Sequence, residues 1–167
     1  LKHFHPRSSS HRPVTQARLL YGSQGFYAHF KVHNDRYIRC RNNHHQAMVC
    51  NDTAIELFLQ PPIGDQPDAD KLGTYRGYFN FEINCGGTML CYYVEDPTRV
   101  GDGFVKSTPL TPQEGSQVRL YHSLPAVVEP EIIEPVTWFN QIHIPLALLE
   151  GYVGQLGDPA GQVWRAN

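Results

Sequence analysis

The chain has 167 residues, 41% of them hydrophobic, and a formal net charge of −2. That length fits one domain with a substantial core. No basic run or positive excess marks a nucleic-acid surface, and no apolar run approaches the roughly 18 residues of a membrane helix.

Thirteen prolines and fourteen glycines punctuate short alternating runs. This is the pattern of an all-β sandwich or barrel. Residues before 15 are irregular and rich in Pro, Ser and His. The chain starts at Leu1 without a signal peptide and reads as a processed or trimmed chain. TQARLLY (15–21) is the first expected strand. FYAHFKVH (26–33) alternates well, with Phe26, Ala28, Phe30 and Val32 opposite Tyr27, His29, Lys31 and His33. RYIRC (36–40) is a short strand, and AIELFL (54–59) sets Ile55, Leu57 and Leu59 against Ala54, Glu56 and Phe58.

A loop rich in Pro, Asp and Gly follows. Then YFNFEIN (78–84) turns through Gly86-Gly87 into TMLCYYVED, a hairpin signal. QVRLYHS and TWFNQIHIPL supply further strands. PLALLEGY (145–152) is the helical candidate, with Pro145 in its first turn and Gly151 as its stop.

YFNFEIN is the most informative strand. Phe79, Phe81 and Ile83 form an apolar face, while Tyr78, Asn80, Glu82 and Asn84 form a polar one. Of the two tryptophans, Trp138 beside Phe139 reads as core. Trp164, beside Arg165 and Asn167, is the better stacking ring. Tyr78, Tyr92, Tyr93 and Tyr121 are further rings.

The four cysteines contain no CxxC pair, which argues against a zinc ribbon or a thioredoxin-type site. Cys40 and Cys50 flank a loop, and Cys85 and Cys91 flank a hairpin. Either pair could bridge, and four free thiols are the alternative; the pairing stays open. Asp65, Asp68 and Asp70 are calcium candidates, without the spacing of an EF-hand. A solvated loop is the plainer reading. His44 and His45 could share a metal only from a loop. No GxSxG, HExxH or P-loop occurs, and Glu56 with Glu82 is the one strand-borne carboxylate pair for glycosidase chemistry. No catalytic residue is assigned, and the chain reads as a non-enzyme.

HRPVTQARLLY, GFYAHFKVHNDRYIRC, NDTAIELFL, YFNFEINCGGTML, TWFNQIHIPLALL and GQVWRAN, in that order, resemble the carbohydrate-binding modules of family 9. The likeness is to the stand-alone bacterial proteins of that type in particular. The resemblance implies a DOMON-related antiparallel sandwich, jelly-roll-like, of about ten strands with at most one short helix. It implies sugar binding, often at chain ends, and structural calcium in some members. By this resemblance Arg39, Glu56, Asn80, Glu82 and Asn84 share one sheet face, and an ion-pair network through Arg39 or Arg76 could separate the two glutamates. Trp164, Tyr78 and Arg165 complete the expected ligand set.

Two departures stand out. The best-known members clamp a sugar between two tryptophans, whereas HHQAMVC before Asp52 holds none. Family-like proteins also continue past the WRAN-like segment. The expectation is therefore a single domain over 1–167, truncated at its C-terminus, from an extracellular or periplasmic protein of polysaccharide catabolism. The partner is a carbohydrate, with no nucleic acid and no membrane span. Two alternatives remain: a haem-binding DOMON-type module using Met48, Met89, His29 or His33, and an interaction domain within a larger multidomain or multi-subunit assembly.

Overall fold

The computed structural model describes residues 10–62, 77–101 and 103–167. Its strands are β1 (Val14–Gly22), β2 (Gly25–Asp35), β3 (Ile38–Cys40), β4 (Ala54–Gln60), β5 (Tyr78–Asn84), β6 (Met89–Val100), β7 (Gly103–Pro109), β8 (Arg119–His122), β9 (Val128–Ile132), β10 (Val136–Pro145) and β11 (Arg165–Ala166). Two helices, α1 (Pro112–Gly115) and α2 (Leu146–Val153), and a 3-10 turn at Val49–Asn51 complete the order.

The strands form a four-stranded sheet, β1-β2-β10-β8, and a five-stranded sheet, β11-β4-β5-β6-β7. β3 and β9 make a small third sheet. All pairings are antiparallel. The all-β sandwich read from the sequence is thus the observed architecture.

One core holds the two large sheets together. The apolar half of YFNFEIN supplies Phe79, Phe81 and Ile83, all fully buried. They belong to one cluster with Phe26, Ala28, Phe30 and Val32 of β2 and Ile142 and Ile144 of β10. Fully burying each such side chain is worth about 1.5–3 kcal/mol. Trp138 is in the core as expected, and its indole N–H donates to Asp35 Oδ2 at 2.7 Å. That bond satisfies both buried polar groups.

Two glycines are fixed by geometry. A Cβ on Gly25 would lie 2.1 Å from the Ile144 carbonyl oxygen, where β2 meets the end of β10. Gly87, at φ +83, carries the β5–β6 turn in a conformation that side-chain-bearing residues rarely adopt.

Several elements differ from expectation. β7 and β9 lie outside the expected strands, because mostly exposed edge strands lack a clean alternation. Helix α2 does not stop at Gly151. It runs on to Val153 and ends at Gly154, whose φ is 79°. Buried Leu146, Leu148, Leu149 and Val153 outweigh the roughly 1 kcal/mol that an internal glycine costs. Helix α1 is a single turn opened by a reciprocal cap. Thr111 accepts from the Glu114 N–H, and the Glu114 carboxylate accepts from the Thr111 N–H.

Candidate functional site

The register of the five-stranded sheet fixes its outer face. Glu56 lies opposite Glu82, which lies opposite Leu90. Phe58 lies opposite Asn80, which lies opposite Tyr92. The polar half of YFNFEIN therefore meets two carboxylates, one amide and the rings of Phe58, Tyr78 and Tyr92 on one surface. Tyr78 packs edge-on against Phe58, with ring centroids 5.9 Å apart, and against Phe104 at 6.4 Å. Beyond Phe58 the surface sinks into a shallow hollow of about 290 Å³ lined by Phe58, Gln60, Tyr78, Arg165, Ala166 and Asn167.

The electrostatics of this face are one-sided. Directly opposed residues on antiparallel strands have Cβ atoms about 4.5–5.5 Å apart, and like charges there are unfavourable. Glu56 and Glu82 are such a pair. No ion pair among the described residues reaches either one. Burial, then the Glu82 charge, raises the Glu56 pKa above the ordinary carboxylate value. The Tyr92 hydroxyl and the Cys50 thiol are also pushed up, first by burial and then by Glu82. Those shared causes place Cys50, from the loop before β4, beside the carboxylates. Asn80 donates its amide to Glu82 Oε1 at 2.9 Å, but its own Oδ1 is buried without a donor.

The loop over residues 41–53 is anchored to the same sheet end. Fully buried Asn84 donates to the Asn42 carbonyl at 2.7 Å and to Asp52 Oδ2 at 2.9 Å. Its Oδ1 accepts from the Thr88 N–H at 2.8 Å. Asp52 also accepts from the backbone N–H groups of Arg41 and Asn42, both at 3.0 Å. Burial alone would raise the Asp52 pKa. These donors more than offset it and leave the carboxyl below its ordinary value.

Comparison with known proteins decides the family. Residues 2–148 match carbohydrate-binding family 9. The chain belongs to carbohydrate-binding family 9. The fold also superposes, with a TM-score of 0.72 and 19% sequence identity, on a Bacteroides uniformis protein to which carbohydrate binding is ascribed. The match covers 93% of this chain and 62% of that one, so this chain spans about three fifths of its neighbour's length. None of the curated proteins matches. The family 9 chain is a carbohydrate-binding domain, and no helix among its described residues is long and apolar enough to cross a membrane.

The family 9 domain gathers only part of the expected ligand set. Tyr78, Asn80, Glu82 and Glu56 share the outer face, with Arg165 at its β11 edge. Trp164 does not join them. Arg165 pairs with Gln60 on the outer face, and alternation turns its neighbour Trp164 inward. There Trp164 packs on Phe26 with ring centroids 4.4 Å apart, its N–H held by Gln162 at 3.0 Å. Trp164 therefore closes the edge of the core instead of offering a stacking platform. Asn84 is also reassigned: it is fully buried, its amide is committed to the 41–53 loop, and its Oδ1 accepts from Thr88 in the β5–β6 turn.

Arg39 sits on β3, in the small third sheet, where its charge lowers the Glu129 carboxyl after the larger effect of Arg41. It does not separate Glu56 from Glu82. Asp65, Asp68, Asp70 and Arg76 lie outside the described residues. Met89 is buried in the core, Met48 is exposed, and His33 bonds Gln16 at 3.1 Å. Cys91 faces Phe81 across the hairpin, while Cys85 lies in hydrogen-bonding contact with Cys40. All four cysteines are free thiols, and burial, followed by Cys40, pushes the Cys85 thiol up to about 12.

Phe58 and Tyr92 are the functional candidates that sequence reasoning underused. Their signal was available, since both fall on the polar face once β4, β5 and β6 are put in register.

Proposed function

We propose that the family 9 domain holds a neutral saccharide on the Glu56–Glu82 face and does not hydrolyse it. The observation that carries this reading is the surplus of acceptors. Among the described residues the one donor that reaches the two opposed carboxylates is the Asn80 amide, on Glu82, and the Asn80 Oδ1 has none. Sugar hydroxyls are donors. Bonds to ionised acceptors are the stronger kind, worth about 1.5–3 kcal/mol each. Phe58 and Tyr92, on either side of Asn80, supply apolar cover for the C–H face of a pyranose.

Hydrolysis of a glycosidic bond needs two carboxyls flanking it. Glu56 and Glu82 rise side by side from adjacent strands of one sheet, so both meet a bound ring from the same side. This favours binding without turnover. A few hydrogen bonds with partial apolar cover suit dissociation constants of about 10 μM to 1 mM.

The test is titration with glucose and cellobiose in the presence of a chelator, followed by the Asn80 side-chain amide resonance. Glu56→Gln and Glu82→Gln should each weaken binding by about tenfold. Unchanged affinity in both variants would exclude this face as the site.

A further inference from the structure

The opposite outer surface, on the four-stranded sheet, has a different chemistry. The register aligns two rows of four side chains across it. Leu20, Tyr27, His143 and Arg119 form one row, and Arg18, His29, Gln141 and Tyr121 form the next. At about 4.8 Å per strand, each row spans about 14 Å. Together these side chains line a groove of about 550 Å³, within the size range of ligand sites. No Asp or Glu is among its described lining residues.

The groove is poor in internal partners. Arg18 and Arg119 are exposed, and neither has an ion-pair partner among the described residues. His143 stacks on Tyr27 with centroids 4.5 Å apart, and His29 packs against Phe139 at 5.6 Å. His29 Nδ1 and His143 Nε2 are buried without a hydrogen-bond partner. Leu20, Tyr27 and Tyr121 are exposed at 70%, 45% and 60%. Exposed rings between unpaired cations do not serve the core, and the small negative net charge of the chain makes such a surface unusual within it.

From this geometry we propose a second saccharide site that takes acidic sugars, whose negatively charged groups pair with Arg18 and Arg119 while Tyr27 and Tyr121 cover the rings. Guanidinium groups match carboxylates and sulfates with two parallel hydrogen bonds. The His29 and His143 rings line the groove between the two arginines. A 14 Å row accommodates a short oligosaccharide lying across the strands. The assignment shares only the family's carbohydrate chemistry with the Glu56–Glu82 reading and uses none of its residues.

The test is calorimetric titration of the whole chain with three probes: trigalacturonate, a sulfated chondroitin disaccharide and neutral cellotriose. At least one charged probe should bind and shift the His29 and His143 imidazole resonances, and the two charged arms separate carboxylate from sulfate recognition. The double variant Arg18→Ala/Arg119→Ala should weaken that binding by about tenfold or more, and Tyr27→Ala should weaken it too. Glu56→Gln should leave it unchanged. The proposal is overturned if neither charged probe binds, if the double arginine variant keeps full affinity, or if sodium sulfate alone displaces the sugars at equal concentration. It is also overturned if cellotriose occupies the groove as tightly as trigalacturonate.

Discussion

The two outer faces of the sandwich share one core and have opposite electrostatics. On the five-stranded sheet Glu56 and Glu82 stand together with no ion pair to either among the described residues. On the four-stranded sheet Arg18 and Arg119 stand within a groove without an anion. Both arrangements are unfavourable for an isolated fold. Folding alone gains nothing from two opposed carboxylates, and unpaired exposed arginines add no stability. The contrast teaches that the buried halves of the strands specify the architecture, while the exposed halves are free to differ in charge and, on the proposed reading, to sort ligands by it. An acceptor-rich face suits neutral hydroxyls, and a donor-rich groove suits acidic groups.

The largest expected effect breaks both faces at once. Phe81→Ala empties a fully buried position between the sheets and should cost about 3–5 kcal/mol in chemical denaturation. Binding to either face should fall with the folded fraction. Next comes Asn84→Ala, which removes the anchor of the 41–53 loop and leaves Asp52 short of a donor. Each buried partner left unsatisfied costs about 1–3 kcal/mol. Neutral-sugar binding should weaken, because that loop borders Glu82, while the basic groove should be unaffected.

A smaller and sharper effect comes from Glu56→Gln. Removing one charge of an opposed pair should raise stability by roughly 0.2–1 kcal/mol at neutral pH while weakening neutral-sugar binding. The pH dependence has a definite sign. The folded-state pKa of Glu56 is raised, so the folded chain keeps this proton where the unfolded chain has released it. Its penalty is absent below the unfolded carboxylate value and is fully present above the raised folded value. Wild-type stability should therefore lose ground to Glu56→Gln as pH rises through that window. Asp52 runs the other way. Its pKa is lowered, so its contribution is present above the unfolded value and is lost as pH falls through the folded one. Asp52→Asn should destabilise the chain near neutrality, and the deficit should vanish on acidification.

Much of this was legible in the sequence where one side of a strand is buried. YFNFEIN, FYAHFKVH and AIELFL alternate cleanly because a sandwich core tolerates nothing else on that side. That Glu56 and Glu82 share a face was expected from the family resemblance, but with an arginine between them; their direct opposition, with Arg39 in the small third sheet, was not. What failed was any judgement that needed the register of a distant edge. Trp164 reads as the better stacking ring because it stands beside the polar Arg165 and Asn167. Pairing of Arg165 with Gln60 is what turns it inward. Asn84 looked like one more polar position in an alternating run, and only the returning 41–53 loop buries it. The basic groove needs four strands from three distant parts of the chain, so no local pattern announces it.

The most direct test of two chemically opposite faces is resonance mapping of the whole chain with cellobiose and then with trigalacturonate. The account predicts that cellobiose moves Asn80 and Tyr92, that trigalacturonate moves His29 and His143, and that neither ligand displaces the other. Perturbation of a single common surface by both sugars, or of neither surface by either, would contradict it.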